Sequence, residues 1–308
     1  MLKGDHLRLW GVRGSVPTPG PRTALVGGNT ACIEIQLAGE RLLLDAGTGL
    51  RQLGLAQQGA PIAATLLFSH LHWDHIQGLP FFAPLYVEGN KVHIYARQRD
   101  VHLKTIFCNQ TEDPYFPVGL EEVSAQVSYT ELRDRSVFDI EGFRISSAPL
   151  NHPYIALGYR LDIEGSAVAY ISDTAPFSTI LLEHEYVPVK PDMDSPPPEL
   201  DSSKLAAMRQ SVEDLCRACD LVIYDTMFRM EEYLTFPHWG HSSPEHALEI
   251  VEAAGAKRLV LYHHAPNRSD EEIDNDLAEV RKRTSVEVLA AAEGLELELS
   301  DGRLEVLR

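Results

Sequence analysis

Short apolar runs separated by polar turns indicate that the first half of the chain is rich in β-strands. Residues 31–37 partly alternate apolar and polar positions, as a half-buried strand does, and residues 64–68 form a continuous apolar run. Further strands are predicted at 41–44, 91–96, 125–129, 143–147, 157–163 and 167–171. The last two are joined through Glu164-Gly165-Ser166, which predicts a hairpin.

The second half of the chain combines helical periodicity with buried strands. Its predicted elements are helices at 204–219, 243–254 and 269–283, and strands at 220–224 and 258–262. Ser243 suits the N-cap of its helix and Gly255 suits the C-terminal cap. Strands interleaved with helices in this way predict an α/β sandwich.

Composition and charge narrow the choice of function. The 308 residues are 44% hydrophobic and 23% charged, enough to bury a large core without disulfides. The net charge of −18 repels polyanions at long range and argues against a general nucleic-acid binder. No apolar run is long enough to span a bilayer, and the N-terminus lacks a secretory signal, which predicts a cytoplasmic protein without membrane association.

A proline-rich, acidic stretch at 183–201 differs in composition from the rest of the chain. Its low apolar content indicates a surface insertion or loop within the domain. A lid over the site or an arm that contacts a partner subunit is the alternative.

The clearest chemical signal is the segment His70-Leu71-His72-Trp73-Asp74-His75, directly after the apolar run at 64–68. It places four good metal ligands within six residues. Imidazole and carboxylate suit divalent zinc, manganese or iron. Because four titratable groups are costly to bury without a metal, the segment predicts a metal site and not merely a polar loop.

This segment resembles the signature of the metallo-β-lactamase superfamily through four side chains, His70, His72, Asp74 and His75. The family carries further ligands after later strands, and His152, Asp173 and His263 each follow a predicted strand in the same order. The resemblance covers nearly the whole chain. It implies one domain over residues 1–308 with the family's αββα sandwich, and it also implies a homodimer.

The resemblance further implies two divalent metal ions, zinc in the first place, with manganese or iron as alternatives. One ion is assigned to His70, His72 and His152, and the other to Asp74, His75 and His263. Asp173 is expected to bridge the two ions, and a carboxylate there in place of cysteine resembles the phosphodiesterase and nuclease branches. His264 competes with His263 as the late ligand. The family pattern favours His263, which follows its strand directly.

The segment Trp239-Gly240-His241-Ser242-Ser243, ahead of a predicted helix, resembles the ribonuclease Z branch of the family. By this resemblance His241 acts on the substrate and protonates the leaving oxygen near neutral pH. Asp225 is expected to hold the tautomer of that imidazole. The alternatives are an N-capping loop histidine and a strand-end aspartate that caps a turn.

Two other segments suggest supporting roles. Asp45 lies in a motif that resembles the early D-x-G motif of the family, and it is expected to orient the ligand loop without touching metal. Arg13 lies in the glycine-rich segment 11–15 and is a candidate to reach a phosphate. The glycines alone favour ordinary turns.

Together these features predict a dinuclear metal-dependent hydrolase that cleaves phosphodiester bonds. Asp74 would help orient the attacking water, and His241 would assist the leaving group. The acidic charge, and the lack of a recognisable Gly- and Lys-rich arm between His75 and His152, favour a small phosphodiester such as a cyclic nucleotide over nucleic acid. The alternatives are a ribonuclease Z-like RNA endonuclease, a lactonase, thioesterase or lactamase, and a non-catalytic metal-binding protein.

Overall fold

The structure of the protein is a computed structural model that describes residues 4–57, 61–154, 156–163, 165–177, 202–236, 239–300 and 303–307. The insertion predicted at 183–201 lies outside these described residues. None of the helices in the described ranges is long and apolar enough to cross a membrane.

The described part of the chain contains two β-sheets. The first contains β1 His6–Gly11, β2 Cys32–Leu37, β3 Glu40–Leu44, β4 Ala63–Leu67, β5 Lys91–Arg97, β6 Gln126–Leu132, β14 Glu296–Ser300 and β15 Arg303–Val306. The second contains β7 Val137–Ile140, β8 Phe143–Pro149, β9 Leu157–Ile163, β10 Ser166–Ile171, β11 Leu221–Asp225, β12 Arg258–Tyr262 and β13 Glu287–Ala290. The described α-helices are α1 Gly49–Ala56, α2 Trp73–Ile76, α3 Leu103–Gln110, α4 Ser202–Cys216, α5 Met230–Tyr233, α6 Pro244–Ala254 and α7 Asp270–Arg281.

Each sheet has a parallel part and an antiparallel part. The first sheet has the order β15-β14-β1-β2-β3-β4-β5-β6, and β3 to β6 are parallel. The second has the order β13-β12-β11-β10-β9-β8-β7, and β10 to β13 are parallel. The predicted hairpin is present as the antiparallel pair β9–β10.

Three apolar cores define four layers. Side chains of both sheets meet in the central core, for example Ile33 and Tyr159. A second core packs α4, α6 and α7 on the outer face of the second sheet, and a third packs α1 and α3 on the outer face of the first. The layers therefore follow the order helix, sheet, sheet, helix, and the expected αββα sandwich is confirmed.

The burial of β11 shows why its sequence is a continuous apolar run. Leu221 and Ile223 pack between the sheets, whereas Val222 and Tyr224 pack toward the outer helices. A strand that is covered on both faces needs apolar side chains at every position. Only its last residue, Asp225, is charged, and it lies where the strand leaves the core.

The ends of the predicted helices also follow local chemistry. The helix predicted at 243–254 is α6, with Ser243 at its N-cap and Gly255 in a left-handed conformation after its last turn. The helix predicted at 204–219 ends at Cys216, three residues early. Ala218 has a positive φ of 51°, which a helix cannot contain, and the chain turns there into β11.

Strand direction brings polar side chains to one edge of the molecule. In the second sheet β8 runs antiparallel to β9, and β9 runs antiparallel to β10, so β8 shares the direction of β10, β11 and β12. The carboxyl ends of these four strands therefore lie at the same edge. The loops that follow them contain His152, Asp173 and His263, while β11 itself ends on Asp225.

Candidate metal centre

The seven predicted ligands lie together in two overlapping clusters. His70, His72, His152 and Asp173 each offer a ligand atom, and these atoms lie within 4.8 Å of one another. The same holds for a second cluster, formed by Asp74, His75, Asp173 and His263. We call these the first and the second cluster. Each could hold one metal ion.

The first cluster contains three imidazoles and one carboxylate oxygen. His152 Nε2 lies 3.1 Å from His72 Nδ1 and 3.9 Å from Asp173 Oδ2. His70 Nε2 lies 3.6 Å from the same oxygen. Because His152 Nδ1 donates a hydrogen bond to the Gly240 carbonyl (2.8 Å), its Nε2 is the nitrogen that faces the cluster.

The second cluster contains two carboxylates and two imidazoles. His75 Nε2 lies 3.3 Å from Asp74 Oδ2 and 3.3 Å from Asp173 Oδ1. His263 Nε2 lies 3.2 Å from Asp74 Oδ2 and 3.3 Å from Asp173 Oδ1. Asp173 therefore turns Oδ2 toward the first cluster and Oδ1 toward the second, and its carboxylate lies between them.

Burial keeps the imidazoles of the first cluster neutral. It lowers the pKa of His70 well below its ordinary value, lowers that of His72, and lowers the pKa of His152 to about 3. A neutral imidazole is the form that binds a metal ion. The first cluster is therefore in its metal-binding form at neutral pH.

The second cluster is dominated by negative charge. Burial alone would lower the pKa of His75, but the carboxylates of Asp74, Asp173 and Asp45 raise it well above its ordinary value. Burial would also raise the pKa of Asp74 and Asp173, yet neighbouring imidazoles, those of His75 and His263 above all, lower both. Ionised carboxylates this deeply buried need a positive partner, and a bound cation supplies one.

Unsatisfied nitrogen atoms support the same conclusion. Among the described residues, His70 Nε2 and His75 Nε2 are buried and form no hydrogen bond of good geometry. A buried polar atom without a partner costs roughly 1–3 kcal/mol. Both atoms belong to the clusters, so a metal ion bound there would remove this cost. The donor set thus fits divalent cations.

Asp45 supports the metal centre through its hydrogen bonds. It accepts hydrogen bonds from the Ser69 backbone N–H (2.7 Å), from His75 Nδ1 (2.8 Å) and from the Tyr170 hydroxyl (2.6 Å). Its bond to His75 fixes that ring so that Nε2 faces the second cluster. This is the orienting role expected for Asp45.

His241 and Asp225 form a hydrogen-bonded pair beside the clusters. His241 Nδ1 donates to Asp225 Oδ2 at 2.9 Å, and Asp225 also accepts from the backbone N–H groups of Thr174 and Met227. Burial alone would lower the pKa of His241, but the adjacent Asp225 carboxylate outweighs it and raises the pKa to about 9. The Asp225 carboxylate therefore favours the protonated ring, and because Nδ1 is held by Asp225, the second ring proton is on Nε2.

A third group of ligand atoms overlaps this pair. Atoms of Asp173, Asp225, His241 and His263 also lie within 4.8 Å of one another. Geometry alone therefore permits His241 either to bind a metal ion or to act on a substrate.

Two other candidate residues point away from the clusters. His264 Nε2 donates to the Ala291 carbonyl at 2.9 Å, and burial lowers the pKa of His264 to about 3. Arg13 is fully buried and donates to the backbone carbonyls of Gly27 and Arg268. The expectation that Arg13 reaches a phosphate is wrong, because its guanidinium has no access to the site.

The glycine-rich segment 11–15 nevertheless supports the centre. The Ser15 backbone N–H donates to Asp74 Oδ2 at 2.8 Å. A Cβ on Gly14 would lie 2.5 Å from the ring of His263, so only glycine allows this close approach. The sequence signals the turn here through its glycines, but it gives no sign that the segment packs against Asp74 and His263. The bond from Tyr170 to Asp45 has no sequence signal either.

The comparisons with known proteins agree with this fold. A family model described as a beta-lactamase superfamily domain matches residues 40–189 and 202–264. The chain belongs to this family.

Individual relatives share low sequence identity with this chain, but the matches cover most of its length. A ribonuclease Z from Methanothermobacter thermautotrophicus is 26% identical over 267 residues, covering 76% of this chain and 80% of that protein. The metallo-beta-lactamase fold protein YhfI from Bacillus subtilis matches with a TM-score of 0.66 at 19% identity, covering 95% of this chain and 98% of that one. A diphosphatase of the PhnP family gives a TM-score of 0.64 at 20% identity, covering 96% and 97%. These two structural matches show a shared fold, and family membership with the cluster geometry supports a metal-dependent hydrolase.

Replacing Asp173 with alanine tests the shared position of its carboxylate. We expect Asp173→Ala to lower the bound metal by at least one ion per chain, because one oxygen is lost from each cluster. Elemental analysis of the purified proteins measures this. Asp139→Ala, which removes an exposed carboxylate on β7, is the control. Full metal content in Asp173→Ala would contradict the shared position.

Proposed function

We propose that the protein is a dinuclear metal-dependent phosphodiesterase. The observation that carries the proposal is the position of the Asp173 carboxylate between the two clusters. His241, which is paired with Asp225, lies on one side of it, with its Nδ1 3.9 Å from Asp173 Oδ2. Two divalent cations bound to the clusters would supply an activated water and would neutralise charge on the phosphate. The roles of the remaining groups follow from their positions.

His241 is proposed to protonate the leaving oxygen. Its Nδ1 is held by Asp225, so the proton available for transfer is on Nε2. A ring with a raised pKa is charged at neutral pH and can stabilise, then protonate, an alkoxide as it departs. Asp74 lies in the second cluster and is proposed to help orient the attacking water through its carboxylate.

The substrate is proposed to be a small phosphodiester such as a cyclic nucleotide. The net charge of −18 supports this choice, because an extended polyanion meets long-range repulsion that a single phosphodiester largely avoids. An RNA endonuclease is the second candidate, favoured by the ribonuclease Z relative. The His241–Asp225 pair argues against a lactonase, thioesterase or lactamase, because it resembles the pair that acts on the substrate in the ribonuclease Z branch.

Several finer properties stay predictions from the sequence. These are zinc as the metal, with manganese or iron as alternatives, a single domain over 1–308, a homodimer and a cytoplasmic location.

Turnover of different phosphodiesters tests the proposed reaction. We expect the metal-loaded protein to cleave cyclic nucleotides and bis(p-nitrophenyl) phosphate, and to leave a chromogenic β-lactam and an aryl lactone intact. Release of nitrophenolate and chromatography of the nucleotides measure this. Preference for precursor transfer RNA over cyclic nucleotides would overturn the small-substrate proposal, and cleavage of the lactam or lactone alone would overturn the phosphodiesterase.

Removing the His241 ring separates acid catalysis from metal binding. We expect His241→Ala to keep its metal content and to lower turnover of a cyclic nucleotide by roughly 10²–10⁴. The loss should be much smaller on bis(p-nitrophenyl) phosphate, because nitrophenolate leaves without protonation. His102→Ala, which breaks an exposed histidine–glutamate pair, is the matched control. Loss of a metal ion from His241→Ala would instead make His241 a ligand.

The pH dependence of turnover tests the role of Asp225. Because the Asp225 carboxylate raises the pKa of His241, Asp225→Asn should lower that pKa. Activity that needs protonated His241 is lost as pH rises through its pKa, so the basic limb of the kcat/KM profile should move to lower pH. An unchanged basic limb would show that Asp225 does not control the protonation of His241.

A further inference from the structure

Three aromatic side chains form a cluster beside His241. Phe228, Phe236 and Trp239 have ring centroids 4.9–6.1 Å apart. The Phe228 ring meets the His241 ring edge to face at 5.7 Å. We call these three residues the aromatic cluster.

The aromatic cluster is only partly buried. Phe228 is buried against His241, whereas Phe236 is 37% exposed and Trp239 is 46% exposed. Large aromatic side chains are dominant contributors to cores and interfaces, so a partly exposed pair at a functional site is available to bind a ligand. Phe228 forms the buried floor of this aromatic surface, and Phe236 and Trp239 form the part that is exposed to solvent.

Backbone hydrogen bonds join the aromatic cluster to the metal centre. The Phe228 N–H donates to the Ser242 carbonyl at 3.0 Å. Trp239 precedes Gly240, whose carbonyl accepts a hydrogen bond from His152 Nδ1. The aromatic cluster therefore has a fixed position beside the first and second clusters, on the side where His241 lies. This is the side on which the leaving group departs if His241 protonates the leaving oxygen.

We propose that the aromatic cluster binds the nucleobase of a nucleoside leaving group, by stacking on Trp239 and Phe236. This inference rests on the proposed phosphodiesterase function and narrows its substrate to phosphodiesters with a nucleoside on the leaving side. Stacking accepts any base, because every base has a π-face. Stacking also requires no positive charge on the protein, which suits a nucleotide-binding site on a chain of net charge −18.

The test compares two cyclic phosphodiesters that differ only in the base. One is adenosine 3′,5′-cyclic phosphate, and the other is methyl ribofuranoside 3,5-cyclic phosphate, which keeps the leaving hydroxyl and lacks the base. We expect Trp239→Ala to raise KM for the adenosine compound about tenfold, with little change in kcat. Values for the base-free compound should not change, and Trp239→Phe should retain most of the affinity.

Tyr115→Ala, which removes a highly exposed aromatic ring outside the cluster, is the control and should affect neither substrate. An equal effect of Trp239→Ala on both cyclic compounds would overturn the inference. So would a change in oligomeric state of Trp239→Ala, measured by sedimentation, because the cluster would then be a subunit contact.

Equilibrium binding keeps the inference testable apart from turnover. Adenosine 5′-monophosphate should quench the tryptophan fluorescence of the protein more than ribose 5-phosphate does, and Trp239→Phe should remove that difference. If the wild type cleaves no phosphodiester but shows this quenching, the proposed function fails while the base site stands. If it cleaves both cyclic compounds with equal KM and shows no difference in quenching, only the base site fails.

Discussion

The burial of negative charge at one edge of the two sheets governs the arrangement of the candidate metal centre. Asp45, Asp74, Asp173 and Asp225 are all buried within a few ångströms of imidazole rings. Ionised carboxylates are unstable away from water unless cations compensate them. The neighbouring imidazoles compensate this negative charge only in part, because burial keeps those of the first cluster neutral. Divalent cations bound to the clusters would complete the balance and would stabilise this edge of the sheets.

The fold places these charges by strand direction more than by local sequence. Strands β8, β10, β11 and β12 end at the same edge, and each delivers a functional side chain there. Buried hydrogen bonds then orient the side chains, as Asp45 does for His75 and the Gly240 carbonyl does for His152. Packing around the centre is equally close, because Gly14 leaves room for the His263 ring. The clusters thus result from sheet topology, supporting hydrogen bonds and close packing together.

Much of this could be predicted from the sequence because apolar strands and polar strand ends have distinct patterns. The run at 64–68 ahead of His70 and the run at 258–262 ahead of His263 indicate both a buried strand and a side chain at its end. The sequence pattern does not predict nine of the described strands and α-helices: strands β1, β7, β13, β14 and β15, and helices α1, α2, α3 and α5. They are short, and their pattern depends on partners distant in the chain, as for β1 between β2 and β14.

Contacts between distant segments were equally hidden. Arg13 is buried under loops near residues 27 and 268, and Phe228 packs against His241, and neither contact has a signature in the local sequence. The aromatic cluster became visible only when the chain segments around 228, 236 and 239 were brought together. The residues that form the candidate site could therefore be predicted from the sequence. The contacts that hold these residues in place required the three-dimensional structure.

In the proposed dinuclear centre, two cations bind on opposite sides of the Asp173 carboxylate. Anomalous diffraction from crystals of the metal-loaded protein, recorded above and below the metal absorption edge, tests it most directly. We expect two peaks, one among His70, His72 and His152 and the other among Asp74, His75 and His263. A single peak, or a peak held by Asp225 and His241, would contradict it.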